Sequence, residues 1–202
     1  MKILIEAVTG GEAESAMRRI RREVFERELG IRRVPPDMSD ATAVGHVLAR
    51  THPGGEAVGA MTVLDTSGGG GLCAGYNLGF EPGGRAARFT HLAVLKPFRG
   101  RNVPLMMALE AHRLFVAPGG YDYTWLLFDA ERAAASFLSR WLGFTPRAEV
   151  FVSEYGCRRP LVRDERGEKA AAALRRASLF LEQSGALYAQ PAGDGVSSAL
   201  VV

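Results

Sequence analysis

The most restrictive feature of the sequence is a junction between an apolar strand, a basic loop and an apolar helix. Residues 89 to 95 (FTHLAVL) are mostly apolar, as in a buried strand, and residues 104 to 116 are apolar enough for a helix. Between them lies KPFRGRNVP, which places two arginines, a glycine and an asparagine directly before the helix. The junction therefore predicts a buried strand and a buried helix with a basic loop at their shared end.

The basic loop has the chemistry of an anion site. The first turn of a helix leaves backbone N–H groups unpaired and carries partial positive charge, and proline is tolerated there because its missing N–H would have had no partner. Gly100 would let backbone approach a ligand closely, and Arg99 and Arg101 could pair with phosphate oxygens. A solvated basic loop that only begins a helix is an equally good interpretation of these residues.

The order of the predicted elements indicates the fold class. Apolar periodicity and turn residues predict four helices and six strands: helices at 13–30, 104–116, 129–143 and 166–184, and strands within 1–10 (MKILIEAVTG) and at 43–50, 57–65, 87–95, 123–128 and 148–153. This order predicts an α+β (mixed α/β) domain, a mixed sheet with helices on its faces. We expect residues 1–163 to form that domain and residues 164–202 to form a C-terminal helix and tail.

Composition narrows the functional class. Of 202 residues, 47% are hydrophobic and 23% are charged, which is typical of a globular domain with a substantial core. No apolar run is long enough to cross a membrane, and Cys73 and Cys157 form no CxxC pair, so we expect a reduced, cytoplasmic protein. The net charge is +3, and the arginines are scattered among glutamates, which argues against nucleic-acid binding. The four histidines have no metal-ligand spacing, so we expect no metal.

The run LAVLKPFRG followed by RNVPLMMALEAHRL resembles the central motif of the GNAT (GCN5-related N-acetyltransferase) superfamily. In that family a strand ending in LAV precedes R/Q-x-x-G-x-G/A and a helix start that holds the pyrophosphate of coenzyme A. Downstream, DAERAAASFLSRWLGF is similar to the family's later segment at Ala135, Leu142, Gly143 and Phe144. The resemblance covers about residues 13 to 155. It implies a GNAT-like fold, whose central sheet is mixed, mostly antiparallel, splayed between strands 4 and 5, and flanked by helices.

The resemblance also implies a function. It predicts direct transfer of an acyl group, most often acetyl, from acyl-CoA to an amine of a small-molecule or peptide acceptor. The implied cofactor-binding residues are the end of the strand and the loop that follows it: Leu92, Ala93, Val94, Arg99, Gly100, Arg101, Asn102, Val103 and Pro104. The residues themselves offer five candidates for a catalytic base, Thr90, His91, Asp129, Glu131 and Glu154, although the sequence favours Asp129 as the cap of the next helix.

The sequence departs from the family pattern at four positions. Asn102 and Pro104 stand where the family usually has small residues, and Arg132 is the residue nearest to the family's asparagine. Ser139 stands where the family often has a tyrosine that protonates the leaving thiolate. The first helix is also similar to members that take the acyl group from the phosphopantetheine of an acyl carrier protein. A carrier-protein donor in small-molecule biosynthesis is therefore one alternative. A catalytically silent GNAT-fold module that binds a cofactor or a partner is the other. On any of these interpretations we expect a monomer or a homodimer.

Overall fold

The computed structural model describes residues 2–8, 11–31, 43–68, 76–153, 156–184 and 188–189. Its strands, in chain order, are β1 (Lys2–Ala7), β2 (Ala43–His52), β3 (Ala57–Asp65), β4 (Ala86–Val94), β5 (Tyr123–Asp129), β6 (Thr145–Pro146), β7 (Phe151–Ser153), β8 (Gly156–Asp164) and β9 (Tyr188–Ala189). Its α-helices are α1 (Gly11–Arg21), α2 (Val103–Ala111), α3 (Ala117–Gly119), α4 (Phe137–Leu142) and α5 (Glu168–Gln183). Both α1 and α2 continue as π-helical segments, Arg22–Glu28 and His112–Val116, and a 3₁₀ turn spans Lys96–Phe98.

All described strands belong to one sheet. Its order is β6-β8-β5-β4-β3-β2-β1-β9, and β7 also pairs with β8. Two neighbouring pairs, β4–β5 and β1–β9, are parallel, and the other pairs are antiparallel. The prediction of a mixed, mostly antiparallel sheet flanked by helices is confirmed.

Helices cover both faces of the sheet. On one face α2, α4 and α5 pack over the main core, which includes Met61, Phe89 and Met107. On the other face α1 buries Met17 and Ile20 among its apolar residues against β2, β3 and β4, and a smaller cluster surrounds Trp125. Because both faces are covered, β3 reads as an almost continuous apolar run instead of an alternating one.

The predicted helix at 129–143 is wrong over its first half. Asp129 Oδ1 accepts the backbone N–H groups of Glu131 and Arg132, both at 3.1 Å, and closes a turn. The helix begins later, where the Ser136 side chain accepts the N–H of Ser139 at 3.2 Å. Two side chains that cap backbone N–H groups therefore divide the segment, and only Phe137–Leu142 is helical.

The sequence prediction also missed β8, which lies between β5 and β6 in the sheet. Its sequence, GCRRPLVRD, contains three arginines and a proline, and a central strand rarely tolerates proline. The backbone carbonyl of Pro160 accepts the N–H of Arg147 at 2.9 Å, so the proline nitrogen also faces away from β5. On that side β7 pairs with residues 156–158 and β6 with residues 161–162. The proline therefore falls where the neighbouring strand is interrupted.

A buried ionic cluster joins the end of β8 and the segment before α5 to the residue that follows α2. Glu165 lies 2.6 Å from Arg163 Nη2 and 3.2 Å from His112 Nε2, and Arg163 Nη1 donates to Leu142 O at 3.1 Å. Burial acts to raise the pKa of Glu165, but the hydrogen bond with His112 and the charge of Arg163 outweigh it and lower the pKa. Ala177 and Leu181 of α5 are buried in the main core, so this helix packs against the sheet's own core.

Candidate active site

The sheet opens between β4 and β5. The two strands pair in parallel through three residue pairs only, from Ala86 with Tyr123 to Arg88 with Trp125. Beyond Arg88, β4 continues to Val94 with β3 as its partner, while β5 continues to Asp129 with β8 as its partner. The predicted splay of strands 4 and 5 is confirmed, and it leaves a gap beside the carboxyl half of β4.

A β-bulge at His91 decides which backbone groups face that gap. In the β3–β4 pairing, Ala60 lies opposite Ala93 and Thr62 lies opposite Thr90. Two residues along β3 therefore correspond to three residues along β4, and His91, within this stretch, has a positive φ of 52°. The extra residue reverses the direction in which the following backbone groups point.

The hydrogen bonds at the two ends of β4 verify this reversal. Ala86 O accepts the N–H of Thr66, and Leu95 N donates to Val58 O at 2.9 Å, so both ends bond to β3. Residues 86 and 95 are an odd number apart and would face opposite sides of a regular strand. Because Leu95 N–H faces β3, the N–H groups of Val94 and Leu92 face the gap.

The loop after β4 turns sharply into α2. Gly100 has φ 80° and Asn102 has φ 59°, both in the left-handed region that non-glycine residues seldom adopt. Asparagine is among the few non-glycine residues that tolerate this conformation, so Asn102 fits this turn without a glycine. Val103 is the first helical residue and Pro104 the second, so the helix begins one residue earlier than the sequence predicts. The first helical bond runs from Met106 N to Asn102 O.

The two loop arginines have different surroundings. Arg99 is held in place: its Nε donates to Val94 O at 2.8 Å and its Nη2 to Glu28 Oε2 at 2.6 Å. Arg101 is exposed, and its guanidinium lies 5.9 Å from the centre of the Phe98 ring. Arg99 therefore ties the loop both to the splayed end of β4 and to the end of the first helix, whereas Arg101 extends into solvent beside the start of α2.

The predicted catalytic residues do not form one cluster. Asp129 ends β5 and closes the turn that follows it. Ser139 Oγ donates to Ala133 O at 2.8 Å at the start of α4. His91 lies at the bulge with its ring edge-on to Phe25, at 6.3 Å between ring centres, and thus on the side of the sheet covered by the first helix.

Thr90 belongs to a polar row that sequence reasoning did not find. Thr62 lies opposite both Thr90 and His46 in the sheet, and its hydroxyl accepts a hydrogen bond from Arg21 of α1 and lies 2.8 Å from His46 Nδ1. Arg21 is 4% exposed. A charged residue among the apolar positions of an amphipathic helix is the signal that could have found it.

Arg88 lies two residues before Thr90, on the same face of β4, and stacks over Trp125, with 4.7 Å between its guanidinium and the ring centre. Strand alternation places residues 88 and 90 on one face, so the polar row ends at the point where β4 and β5 separate.

Three further observations concern the described ranges. They contain no group of three or more His, Cys, Asp or Glu side chains that could hold a metal ion. Among the same residues, no helix is long and apolar enough to cross a membrane. Cys157 is an exposed thiol, and Cys73 lies outside the residues that the structure describes.

Comparison with known proteins gives the class of the fold. The sequence matches no protein-family model and no curated protein. Among solved structures, FeeM, an N-acyl amino acid synthase from uncultured soil microbes, superposes with a TM-score of 0.61 at 16% identity, covering 85% of this chain and 97% of FeeM.

Two further solved structures have a similar fold. BjaI, a CoA-dependent acyl-homoserine lactone synthase, has a TM-score of 0.60 at 13% identity, covering 94% of this chain and 93% of BjaI. YhbS, a GNAT family N-acetyltransferase from Escherichia coli in complex with CoA, has a TM-score of 0.55 at 18% identity, covering 86% of this chain and 84% of YhbS. The predicted GNAT-like fold is therefore confirmed.

Proposed function

We propose that this chain is an acyltransferase that moves an acyl group from a thioester donor to an amine. The observation that carries the proposal is the gap between β4 and β5, into which the N–H of Val94 points beside the first turn of α2. A gap faced by backbone N–H donors suits an amide-containing pantetheine arm, and a helix start suits its phosphate.

Each part of the donor has a proposed position. Leu92, Ala93 and Val94 line the gap and hold the pantetheine and the thioester, whose carbonyl oxygen accepts a backbone N–H. Gly100, Arg101, Asn102 and Val103 precede the first helical hydrogen bond and hold phosphate, while Pro104 continues the helix without a donor of its own. Arg99 contributes by fixing the loop through Glu28 and Val94.

The proposed reaction is direct transfer. The neutral amine nitrogen attacks the thioester carbonyl carbon, the resulting oxyanion is stabilised by backbone N–H groups, and the C–S bond then breaks to release a thiolate. The ammonium proton leaves to a base, and the thiolate takes up a proton from solvent or from a nearby hydroxyl. Ser139 is the proposed residue nearest the sulfur.

Three residues are proposed for the base. His91 has the most suitable intrinsic acidity, Thr90 lies in the polar row of the sheet face, and Asp129 ends β5 beside the gap. Asp129 Oδ1 already accepts two backbone N–H groups, and its second oxygen is the atom that could take a proton.

The proposed donor is acyl-CoA, most often acetyl-CoA, and the proposed acceptor is a small-molecule or peptide amine. Similarity to YhbS with CoA and to BjaI with isopentyl-CoA supports a CoA thioester. Similarity to an N-acyl amino acid synthase favours an amino-acid acceptor. A carrier-protein donor is the second candidate, on the resemblance of the first helix.

Calorimetric titration with CoA and, in parallel, with a phosphopantetheinylated acyl carrier protein tests the donor. We expect CoA to bind and Arg101→Ala to weaken it by about tenfold, the value of one charge-assisted hydrogen bond. Arg18→Ala, which removes an exposed arginine of α1, is the matched control and should change nothing.

Acetyl-CoA with a panel of amines, followed by thiol release, then tests the reaction. Donor binding without thiol release for any amine would favour the silent binding module. Binding of the carrier alone would favour the biosynthetic alternative, and binding of neither donor would contradict the proposed function.

A further inference from the structure

A groove between α4 and α5 combines apolar and basic side chains on the surface of the described chain. Its cavity has a volume of about 390 Å³. Two aromatic rings, a leucine and two arginines supply most of its lining: Trp141, Phe180, Leu179, Arg175 and Arg176. Leu179 is 55% exposed, although a large apolar side chain gains free energy when it is covered. The groove therefore suits an occupant that carries apolar groups and negative charge.

The walls of the groove are ordered by contacts within the fold. Trp141 and Phe180 stack with 4.1 Å between ring centres and 21° between planes. Arg176 Nη2 donates to Arg140 O at 3.2 Å, which fixes one guanidinium near the rings. Neither Arg176 nor Arg175 forms an ion pair with another described residue. Both guanidinium groups can therefore pair with a carboxylate of the occupant.

The last part of the sequence carries both features that the groove requires. Residues 190–202 (QPAGDGVSSALVV) lie outside the described residues. Asp194 is the only charged side chain among them, and residues 199–202 (ALVV) are their only run of consecutive apolar residues. The segment thus offers one carboxylate and one apolar run to a groove that has two guanidinium groups and an exposed leucine.

This segment is long enough to reach the groove. Gln183, the last residue of α5, also lines the groove. Ala189, which pairs with β1, follows six residues later, so at most about 22 Å separates it from Gln183. The apolar run begins ten residues after Ala189, and ten residues can span about 33 Å. Residues 199–202 can therefore return to the end of the groove at which α5 finishes.

The covalent connection favours this occupant over a separate molecule. A flexible linker of about ten residues has a root-mean-square length of roughly 16–19 Å, which is close to the distance to be bridged. A linker that matches its span gives an effective concentration in the millimolar range. A contact too weak to hold a separate partner is thus sufficient to hold the tethered segment.

We propose that residues 190–202 dock in the groove between α4 and α5 of the same chain. Leu200 and Val201 cover Leu179 and the stacked rings, and Asp194 lies beside the two arginines. The inference does not depend on the proposed function, because it involves neither the gap between β4 and β5 nor the loop before α2.

The fluorescence of Trp141 tests this docking in the full-length chain. The chain has two tryptophans, and Trp125 is fully buried, so acrylamide quenching measures the exposure of Trp141. Trp141→Phe identifies the share of the emission that belongs to this residue. The variant Leu200→Gln/Val201→Gln should increase the quenching of Trp141 and shift its emission to longer wavelength, because buried amide groups without partners disfavour docking.

Two further variants show where the segment docks. Ser197→Gln/Ser198→Gln introduces the same two side chains beside the apolar run, and this matched control should keep the wild-type quenching. In a Leu179→Gln background, Leu200→Gln/Val201→Gln should cause a much smaller increase, because residues that contact each other are not additive.

Equal quenching of the wild type and Leu200→Gln/Val201→Gln would overturn the proposal. Protection of Trp141 that appears only as the protein concentration rises would also overturn it, because that result would assign the groove to a second copy of the chain.

Discussion

At the scale of single residues, Asn102 explains how the loop keeps its shape without glycine. Its φ of 59° is a conformation that most side chains resist, and asparagine accepts it at low cost. The sequence presents Asn102 as a departure from the family motif, yet its backbone adopts the conformation that a glycine would. A left-handed backbone is therefore reached at this position without a glycine.

Substitutions of Asn102 distinguish the contribution of its side chain to stability from that of its backbone conformation. Asn102→Gly should leave the free energy of unfolding within a few tenths of a kcal/mol, whereas Asn102→Val should lower it by about 1–2 kcal/mol because a β-branched residue resists this φ. Urea denaturation measures both changes. Equal stability of the glycine and valine variants would show that the loop does not depend on the left-handed backbone.

Arg99 gives a second prediction at this scale. If it acts by fixing the loop, Glu28→Gln should weaken CoA binding in the same direction as Arg99→Ala, because both remove the 2.6 Å ion pair. If Arg99 instead contacts phosphate directly, Glu28→Gln should leave binding unchanged or improve it, because the arginine is released. Calorimetric titration of the two variants distinguishes the roles, and Glu14→Gln, which breaks an exposed pair on α1, is the control.

At the scale of elements, the bulge in β4 sets the direction of the last residues of the strand. His91 supplies both an imidazole and a positive φ, and substitution separates these roles. His91→Gly should keep the fold and, if the bulge is what matters, most of the acyl-transfer rate. His91→Val should destabilise the chain by about 1–2 kcal/mol. Loss of turnover in His91→Gly with unchanged donor binding would instead assign His91 as the base.

The elements also show where sequence information is sufficient. β3 matches its predicted range of 57–65, because a continuous apolar run is bounded by glycine-containing turns. The start of α2 was displaced by only one residue, because a proline follows a polar loop there. Local composition determines both boundaries.

Elements that depend on distant partners could not be predicted. The arginines and Pro160 of β8 argue against a strand when its sequence is considered alone. The burial of Arg163 requires Glu165 and His112 as partners, and the proline requires an interruption in the neighbouring strand. The polar row depends in the same way on register, because only the pairing of β2, β3 and β4 brings His46, Thr62 and Thr90 together. Neither partner of such a contact carries a local signal.

At the scale of the whole molecule, the cluster of Arg163, Glu165 and His112 connects the last long helix to the rest of the fold. Glu165→Gln should cost about 3–5 kcal/mol at neutral pH, because it leaves the guanidinium of Arg163 buried without its counter-charge. Urea unfolding of the two proteins measures the difference. Glu168→Gln, an exposed carboxylate in the first turn of α5, is the control and should change little.

Glu165 also leads to a prediction about how the stability of the chain depends on pH. The pKa of Glu165 is lowered in the folded state, so its stabilising contribution is complete above its ordinary value of 4.5. The contribution is lost as the pH falls below that value toward the folded pKa. The wild type should therefore lose stability more steeply than Glu165→Gln below about pH 4.5. Parallel pH profiles for the two proteins would contradict the lowered pKa.

The one-sided pairing of β4 has a consequence for the exchange of amide protons with solvent. Ala93 and Leu95 direct their N–H groups toward β3 and should exchange slowly, whereas Leu92 and Val94 direct theirs into the gap and should exchange fast without any unfolding. Four consecutive residues of a single strand should thus alternate between fast and slow deuterium uptake. A bound donor should slow the two fast positions and leave the other two almost unchanged.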